Sequence, residues 1–310
     1  MPQLRPPLPS LPVQPHRPRG RLDGFEHLQR RHPCLSGPAN TRFGRVHLPV
    51  APGCNIGCRF CVRSLTDPAQ RPGVARGLVR PEDAVALVAR ALELCPDITV
   101  VGVAGPGDAL ASPHALEALA AVHARFPELL ACMSTNGLRL PEKVDAVVAA
   151  GVSTLTVTVN AVDPRVLERL CAYVILGGRR LTGLEAARTL IDAQLTGIAR
   201  AAARGLLVKI NCVLVPEVND DHVEDVARAV AAAGARLMNL IPLIPQHQLA
   251  DRRAPRCDEL EDAREDVERH LEVFRHCQHC RADACGIPGQ GLDLGKQLFA
   301  QPAPETFSHG

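Results

Sequence analysis

Excess charge of one sign is missing from this sequence: 35 lysines and arginines against 33 aspartates and glutamates leave a formal net charge of only +2. The basic residues are spread out rather than gathered, so nothing marks a nucleic-acid surface. An uninterrupted apolar run of signal-peptide or membrane-spanning length is missing too, and the prolines within residues 1–10 argue against a helix there. A disulfide framework is the third absence. The 12 cysteines are clustered rather than regularly spaced, which in a chain without a secretory signal reads as reduced thiols serving metal in the cytosol. Neither a nucleic acid nor a membrane is expected as a partner.

What is present is enough for one large core: 310 residues, 46% of them hydrophobic. From about residue 45 short apolar runs alternate with longer amphipathic ones, the pattern of βα units. Strands are expected at 45–50, 98–103, 129–134, 154–160, 206–213 and 237–241. Helices are expected at 81–93, 113–126 and 141–150, each opened by a proline suited to a first turn. Another should span 183–204, one should follow 219–221, whose side chains can cap it, and the last should span 257–274. Right-handed crossovers would wrap these units into an α/β fold, a partial (β/α)6 barrel of the TIM type. The strands are too few for a closed eight-unit barrel. The expected layout is a disordered tail over 1–30, the partial barrel over 31–256, a helix and cluster-binding tail over 257–290, and a second disordered tail over 291–310.

Chemistry in such barrels gathers where strands end, and Cys54, Cys58 and Cys61 follow the first strand in the order C-x3-C-x2-C. Three thiolates hold three irons of a [4Fe-4S] cube and leave the fourth open to a small molecule. A zinc site lacking its fourth ligand is the other reading of the same three residues. Strand two runs into Ala104-Gly-Pro-Gly-Asp108, strand three into Cys132-Met-Ser-Thr-Asn-Gly137, and strand four ends at Asn160. Glycines at 105 and 107 let backbone approach a ligand, and Ser134, Asn136 and Asn160 offer polar groups at the strand ends. Near the end, Cys277 and Cys280 form a C-x2-C pair, which can serve a cluster, half a zinc site or a redox couple. Cys34, His47 and Cys132 are further candidates, with His47 and Cys132 placed on neighbouring elements.

The triad spacing resembles the radical SAM superfamily, whose open iron binds the amino and carboxylate groups of S-adenosylmethionine (SAM). In that superfamily the loop at Gly105, Gly107 and Asp108 contacts the methionyl amino group. The resemblance sharpens with His32-Pro-Cys34, Arg45-Val-His-Leu-Pro-Val-Ala-Pro52, Arg71-Pro-Gly-Val74, Ser134-Thr-Asn-Gly137 and His276-Cys-x-x-Cys-Arg-Ala-Asp283. These strings, in order from about 31 to 287, look like those of the NifB family. The resemblance implies an enzyme that fuses two further [4Fe-4S] clusters, inserts a SAM-derived carbide and adds a sulfur, giving the eight-iron precursor of the nitrogenase cofactor. It implies that Cys54, Cys58 and Cys61 hold the SAM-binding cluster, while Cys34, His47, Cys132, Cys277 and Cys280 hold the two precursors. Iron–sulfur donor proteins and a cofactor carrier or scaffold protein would be its partners. No carrier domain follows the C-x2-C pair, so product is expected to pass to a separate protein.

The sequence departs from the family pattern in two places. A further cysteine and an Asn-Glu-Ser are replaced in the stretch from Val62 to Gln70, where Asp67 is the candidate substitute, and a histidine pair ahead of strand one is replaced by Asn40-Thr41. Cys257 and Cys285 are extra thiols. The alternatives are a radical SAM paralogue that modifies a peptide or small molecule with one auxiliary cluster, and a non-catalytic iron–sulfur scaffold.

Overall fold

The computed structural model describes residues 22–299 apart from 66, 278–279, 289 and 291–293. In chain order its elements are α1 (Glu26–Gln29), α2 (Gly37–Arg42), β1 (Gly44–His47), β2 (Ile56–Cys58), α3 (Ala84–Leu94), β3 (Ile98–Val103), α4 (His114–Arg125), β4 (Leu130–Thr135), α5 (Leu140–Ala149) and β5 (Val152–Thr158). There follow α6 (Pro164–Leu167), β6 (Cys171–Leu176), β7 (Arg179–Thr182), α7 (Gly183–Ala203), β8 (Leu207–Leu214), α8 (Val223–Ala232), β9 (Leu237–Pro242), α9 (Cys257–Glu268), β10 (Glu272–Val273), β11 (Cys285–Gly286) and α10 (Gly295–Leu298).

The main sheet has the order β10-β9-β8-β5-β4-β3-β1-β11 and is open, because its two end strands do not pair. Neighbours from β1 to β10 run parallel, and only β11 is antiparallel. A long helix follows each of the six strands β1, β3, β4, β5, β8 and β9, which is the expected partial (β/α)6 barrel. Parallel strands covered on both faces are apolar throughout; all of Ile98–Val103 is buried. The helices bury one stripe, as in α8, where Val223, Val226, Ala227 and Val230 recur at helical spacing and are buried while the facing positions are polar.

Several expectations need correction. The last helix stops at Glu268, and Glu272–Val273 instead extends the sheet as β10, because their backbone finds Leu237 and Met238 of β9. Asn219 does not cap α8. Its side chain is fully buried, accepting from Val215 N at 2.8 Å and donating to the carbonyls of Asn160 and Val213 at 2.9 Å, so it ties two strand ends together. Within the long fourth crossover, β6 and β7 form a hairpin that joins β2 in a three-stranded sheet. Of the expected N-terminal tail, residues 1–21 lie outside the described residues. Residues 22–30 are built into the fold, where Leu22 and Leu28 cluster with Leu35, Leu207, Leu237 and Phe274. Of the expected C-terminal tail, residues 294–299 are ordered around α10, with Phe299 buried. Residues 300–310 lie outside the described residues. Among the described residues no helix is long and apolar enough to cross a membrane.

Leu207 and Leu237 are the first residues of their strands, so the N-terminal segment packs across the entry ends of the sheet. Arg31 is held there by Thr99 Oγ1, which donates to its carbonyl at 2.6 Å. The end of the barrel opposite the cysteine triad is therefore closed by residues 22–43.

Candidate functional site

Alternate residues of a strand share a face. On β4 and its exit this places Cys132, Ser134 and Asn136 on one cavity, on β5 Thr156, Thr158 and Asn160, and on β8 Lys209, Asn211 and Val213. The cavity has a volume of about 340 Å³, and all fourteen side chains and glycines expected from the sequence line it: Cys34, His47, Cys54, Cys58, Cys61, Gly105, Gly107, Asp108, Cys132, Ser134, Asn136, Asn160, Cys277 and Cys280.

At one end stands the triad. Its loop is held by β2, which pairs antiparallel with β6, Ile56 opposite Val174 and Cys58 opposite Cys171. On its other flank Gln246 Nε2 donates to the Phe60 carbonyl at 2.9 Å, and Arg59 Nη1 donates to Gln248 Oε1 at 2.6 Å. The Gly-Pro-Gly-Asp loop docks against its start: Gly107 N donates to Ala51 O at 2.7 Å and Asp108 N to Gly53 O at 2.8 Å. A Cβ at Gly107 would stand 1.9 Å from Gly53 O, so only glycine permits this approach. Gly107→Ala is expected to push the two loops apart at a cost of about 3 kcal/mol, read as a fall in Tm of about 6 °C or more; an unchanged Tm would show that the loops are not coupled.

Asp108, expected to face the ligand, is committed to the protein. Its carboxylate accepts from Leu110 N at 2.9 Å, from Thr135 Oγ1 at 3.0–3.1 Å and from Asn136 N at 2.5 Å. Burial pushes its carboxyl up and these bonds pull it back. Asn136, thus fixed, donates through Nδ2 to Asn55 Oδ1 at 2.7 Å and lies 3.8 Å from Cys54 Sγ. Asn160 Oδ1 accepts from Val213 N at 2.9 Å, clipping β5 to β8. Ser134 lines the cavity on β4.

At the other end of the cavity, Cys132 sits mid-strand on β4 rather than closing it. His47 and Cys132 are not on adjacent strands: β3 runs between them, with His47 opposite Gly102 and Gly102 opposite Cys132. A Cβ at Gly102 would lie 3.2 Å from His47 Cδ2, so the bare backbone there leaves room for the imidazole. His47 Nδ1 lies 3.1 Å from the Arg281 carbonyl. A carbonyl only accepts, so Nδ1 carries the proton and Nε2 is left with its lone pair, the arrangement that orients a metal-binding histidine. Burial, with Arg45 adding to it, pushes the His47 imidazole down to about 4 and keeps it neutral. Cys34 enters from the N-terminal segment, where Asn40 Nδ2 holds the Pro33 carbonyl at 2.8 Å and Cys34 N donates to His32 Nδ1 at 3.1 Å.

The C-terminal segment docks along the β1 edge. Val46 lies opposite Cys285, His47 N donates to Ala284 O at 2.8 Å, and Ala282 N donates to Val74 O at 2.8 Å. Asp283, fully buried, accepts from Arg76 N at 2.7 Å and Arg281 Nε at 2.8 Å, and Arg281 Nη1 reaches the carbonyls of Asp67 and Ala69. This stitching brings Cys277 and Cys280 to the cavity. Asp67 is not on the cavity wall. Its carboxylate takes Arg71 Nη2 at 2.6 Å and Ala69 N at 2.8 Å, which uses it locally and removes it as a substitute ligand. Cys285 is buried on β11 and Cys257 is exposed at the start of α9, both off the cavity.

The donor set suits iron–sulfur chemistry. Burial pushes the Cys34 and Cys54 thiols up to about 12 and the Cys58 thiol well above its ordinary value, so these sulfurs become good ligands only when metal displaces the proton. Among the described residues no three His, Cys, Asp or Glu side chains converge to hold a single metal ion. Cys54, Cys58 and Cys61 line the cavity together, three thiols of the kind that bind three different irons of a cube. Sequence reasoning missed Lys209, Arg45 and Cys171. The first interrupts the apolar run of β8, and the last, opposite Cys58, donates its thiol to the Tyr173 carbonyl at 3.2 Å.

Residues 48–230 match the radical SAM superfamily. SuiB of Streptococcus suis, in its structure bound to S-adenosylmethionine, superposes with a TM-score of 0.54 at 14% identity, covering 80% of this chain and 55% of that one, a likeness of fold. The chain is 42% identical over 287 residues to the FeMo cofactor biosynthesis protein NifB of Methanocaldococcus infernus, covering 92% of this chain and 94% of that protein. It is 42% identical over 271 residues to the NifB of Methanocaldococcus jannaschii, covering 87% and 90%. With such identity along nearly the whole of both proteins, this chain belongs to the NifB family of radical SAM enzymes.

Proposed function

We propose that this enzyme makes the eight-iron precursor of the nitrogenase cofactor by joining two [4Fe-4S] substrate clusters, inserting a carbide from the methyl group of SAM and adding a sulfur. The observation that carries the reading is the single cavity that has a sulfur-only triad at one end and Cys34, His47 and Cys132 at the other, with Cys277 and Cys280 brought to it by the docked tail. Cys54, Cys58 and Cys61 would hold the resident cluster, which when bound supplies the electron that splits SAM. Gly105 and Gly107 line the cavity where the methionyl end would lie, and Asn136, Ser134 and Asn160 line the path the nucleoside would take. His47, neutral and oriented by a carbonyl, and the thiols of Cys34, Cys132, Cys277 and Cys280 would hold the two substrate clusters. Few protein ligands per cluster suit a substrate that must fuse and leave. Iron–sulfur donor proteins would supply the clusters, and a carrier or scaffold protein would receive the product.

Iron and acid-labile sulfide per chain after anaerobic reconstitution test this, with electron paramagnetic resonance before and after SAM. Three cubes give about twelve irons with one signal perturbed by SAM. A total near four would leave only the triad filled and favour a peptide- or small-molecule-modifying enzyme. Replacing both Cys277 and Cys280 by alanine is expected to lower the count by about four irons while the SAM-perturbed signal persists; an unchanged count would remove the pair from the site.

A further inference from the structure

Lys209 is the third residue of β8 and faces the cavity together with Asn211, deep between the two ends of the strand. It is only 5% exposed. Its Nζ donates to the Cys34 carbonyl at 3.1 Å and stands 4.4 Å from the centre of the Phe274 ring. Among the described residues it makes no ion pair. The acids nearest in role are already engaged: Asp283 is taken by Arg76 and Arg281, and Asp108 by three donors at the triad end. A carbonyl and a ring face soften the burial of an ammonium but do not neutralise it.

The wall around Lys209 says what would. Cys34, His47 and Cys132 line the same cavity as Lys209. A second buried cation, Arg45, places Nη2 3.4 Å from Cys280 Sγ, and its Nε has no partner. The cavity end opposite the triad is thus lined by sulfur donors, His47 and the cation of Lys209, with Arg45 behind Cys280 and no carboxylate among the described lining residues there. Clusters held through thiolates bring negative charge and sulfide surfaces that accept hydrogen bonds.

We infer that Lys209 is the counter-charge for a substrate cluster held at Cys34, His47 and Cys132, compensating the thiolates and donating to the cluster's sulfur. The inference rests on the proposed function, in which those residues hold a substrate cluster. Lys209 is a positioning residue: without the cluster its charge is uncompensated, and with the cluster it is matched.

The sign of its effect on the metal-free protein separates this role from a structural one. In the full chain, Lys209→Met keeps the length of the side chain and removes the charge, while Lys209→Gln keeps a donor for the Cys34 carbonyl. Metal-free Lys209→Met is expected to match or exceed the wild-type Tm, by up to about 2 °C, because a buried uncompensated charge is gone. After reconstitution both variants should hold about four irons fewer per chain than wild type. If both load as many irons as a wild type that itself holds about twelve, the inference about Lys209 fails and the proposed function stands. A metal-free Lys209→Met that melts well below wild type, with Lys209→Gln fully loaded, also overturns it. If the wild type itself holds only about four or eight irons, the proposed function fails, and the inference with it.

Discussion

Alanine at Cys58 abolishes 5′-deoxyadenosine formation from SAM, by at least about a hundredfold, while the protein stays folded. Cys58 is the last residue of β2, and the pairing that holds the strand to β6 is made by backbone, so the loop survives loss of the thiol. The side chain is half-buried on the cavity wall. Losing one sulfur there removes few packing contacts, and Tm should change by no more than about 4 °C. The chemical loss is of another order: with two thiols left the triad cannot hold a cube with a single defined open iron. The assay is reductive SAM cleavage under anaerobic conditions. Product near the wild-type level would sink the radical SAM assignment of the triad, and a collapsed Tm would show that Cys58 is structural.

Alanine at Asp108 lowers stability by about 3–5 kcal/mol, a fall in Tm of about 10 °C. The carboxylate is 5% exposed and carries three donors from two loops: Leu110 N beyond its own strand, and Thr135 Oγ1 and Asn136 N at the end of β4. Removing it leaves all three buried without an acceptor, the expensive half of breaking a hydrogen bond. Asn136 is also the residue that reaches Asn55 and Cys54, so the effect of SAM on the cluster signal should weaken together with stability. Asp108→Asn, which keeps one acceptor oxygen, should fall between. A variant that melts like wild type but no longer responds to SAM would return Asp108 to the ligand-contact role that the sequence suggested.

The six core strands were legible because each carries a short, mostly buried apolar run, and the expected ranges differ from the observed ones by a few residues. The parts that escaped are held by partners remote in the chain. β10 and β11 are two residues each and exist only through pairing with β9 and β1. The β6–β7 hairpin did carry a local signal: Gly177 and Gly178 form a two-residue turn, both at positive φ, between Leu176 and Arg179. Its first strand is as apolar as a core strand, but Arg179–Thr182 is not, and the pairing with β2 that completes the sheet is remote in the chain. The candidate site was legible as a list of residues but not as a geometry. That Cys132 lies mid-strand, that β3 separates it from His47, and that Asp108 is spent on its neighbours follow from register and hydrogen bonding. Lys209 could have been noticed, since it and Asn211 alternate with apolar residues on one face of a buried strand.

The docked tail has a bearing on the order in which the molecule is completed. Arg45 donates to the carbonyl of Gly286, a partner 241 positions away, and contacts of such separation are the last to be closed. Everything that frames the triad, from β1 through residues 246–248, is synthesised before the strap that carries Cys277 and Cys280. A nascent chain therefore completes the frame of its permanent cluster site first and the compartment for transient cargo later. Truncation just after α9 would leave a protein with a home for its own cofactor and an unfinished door on its workshop.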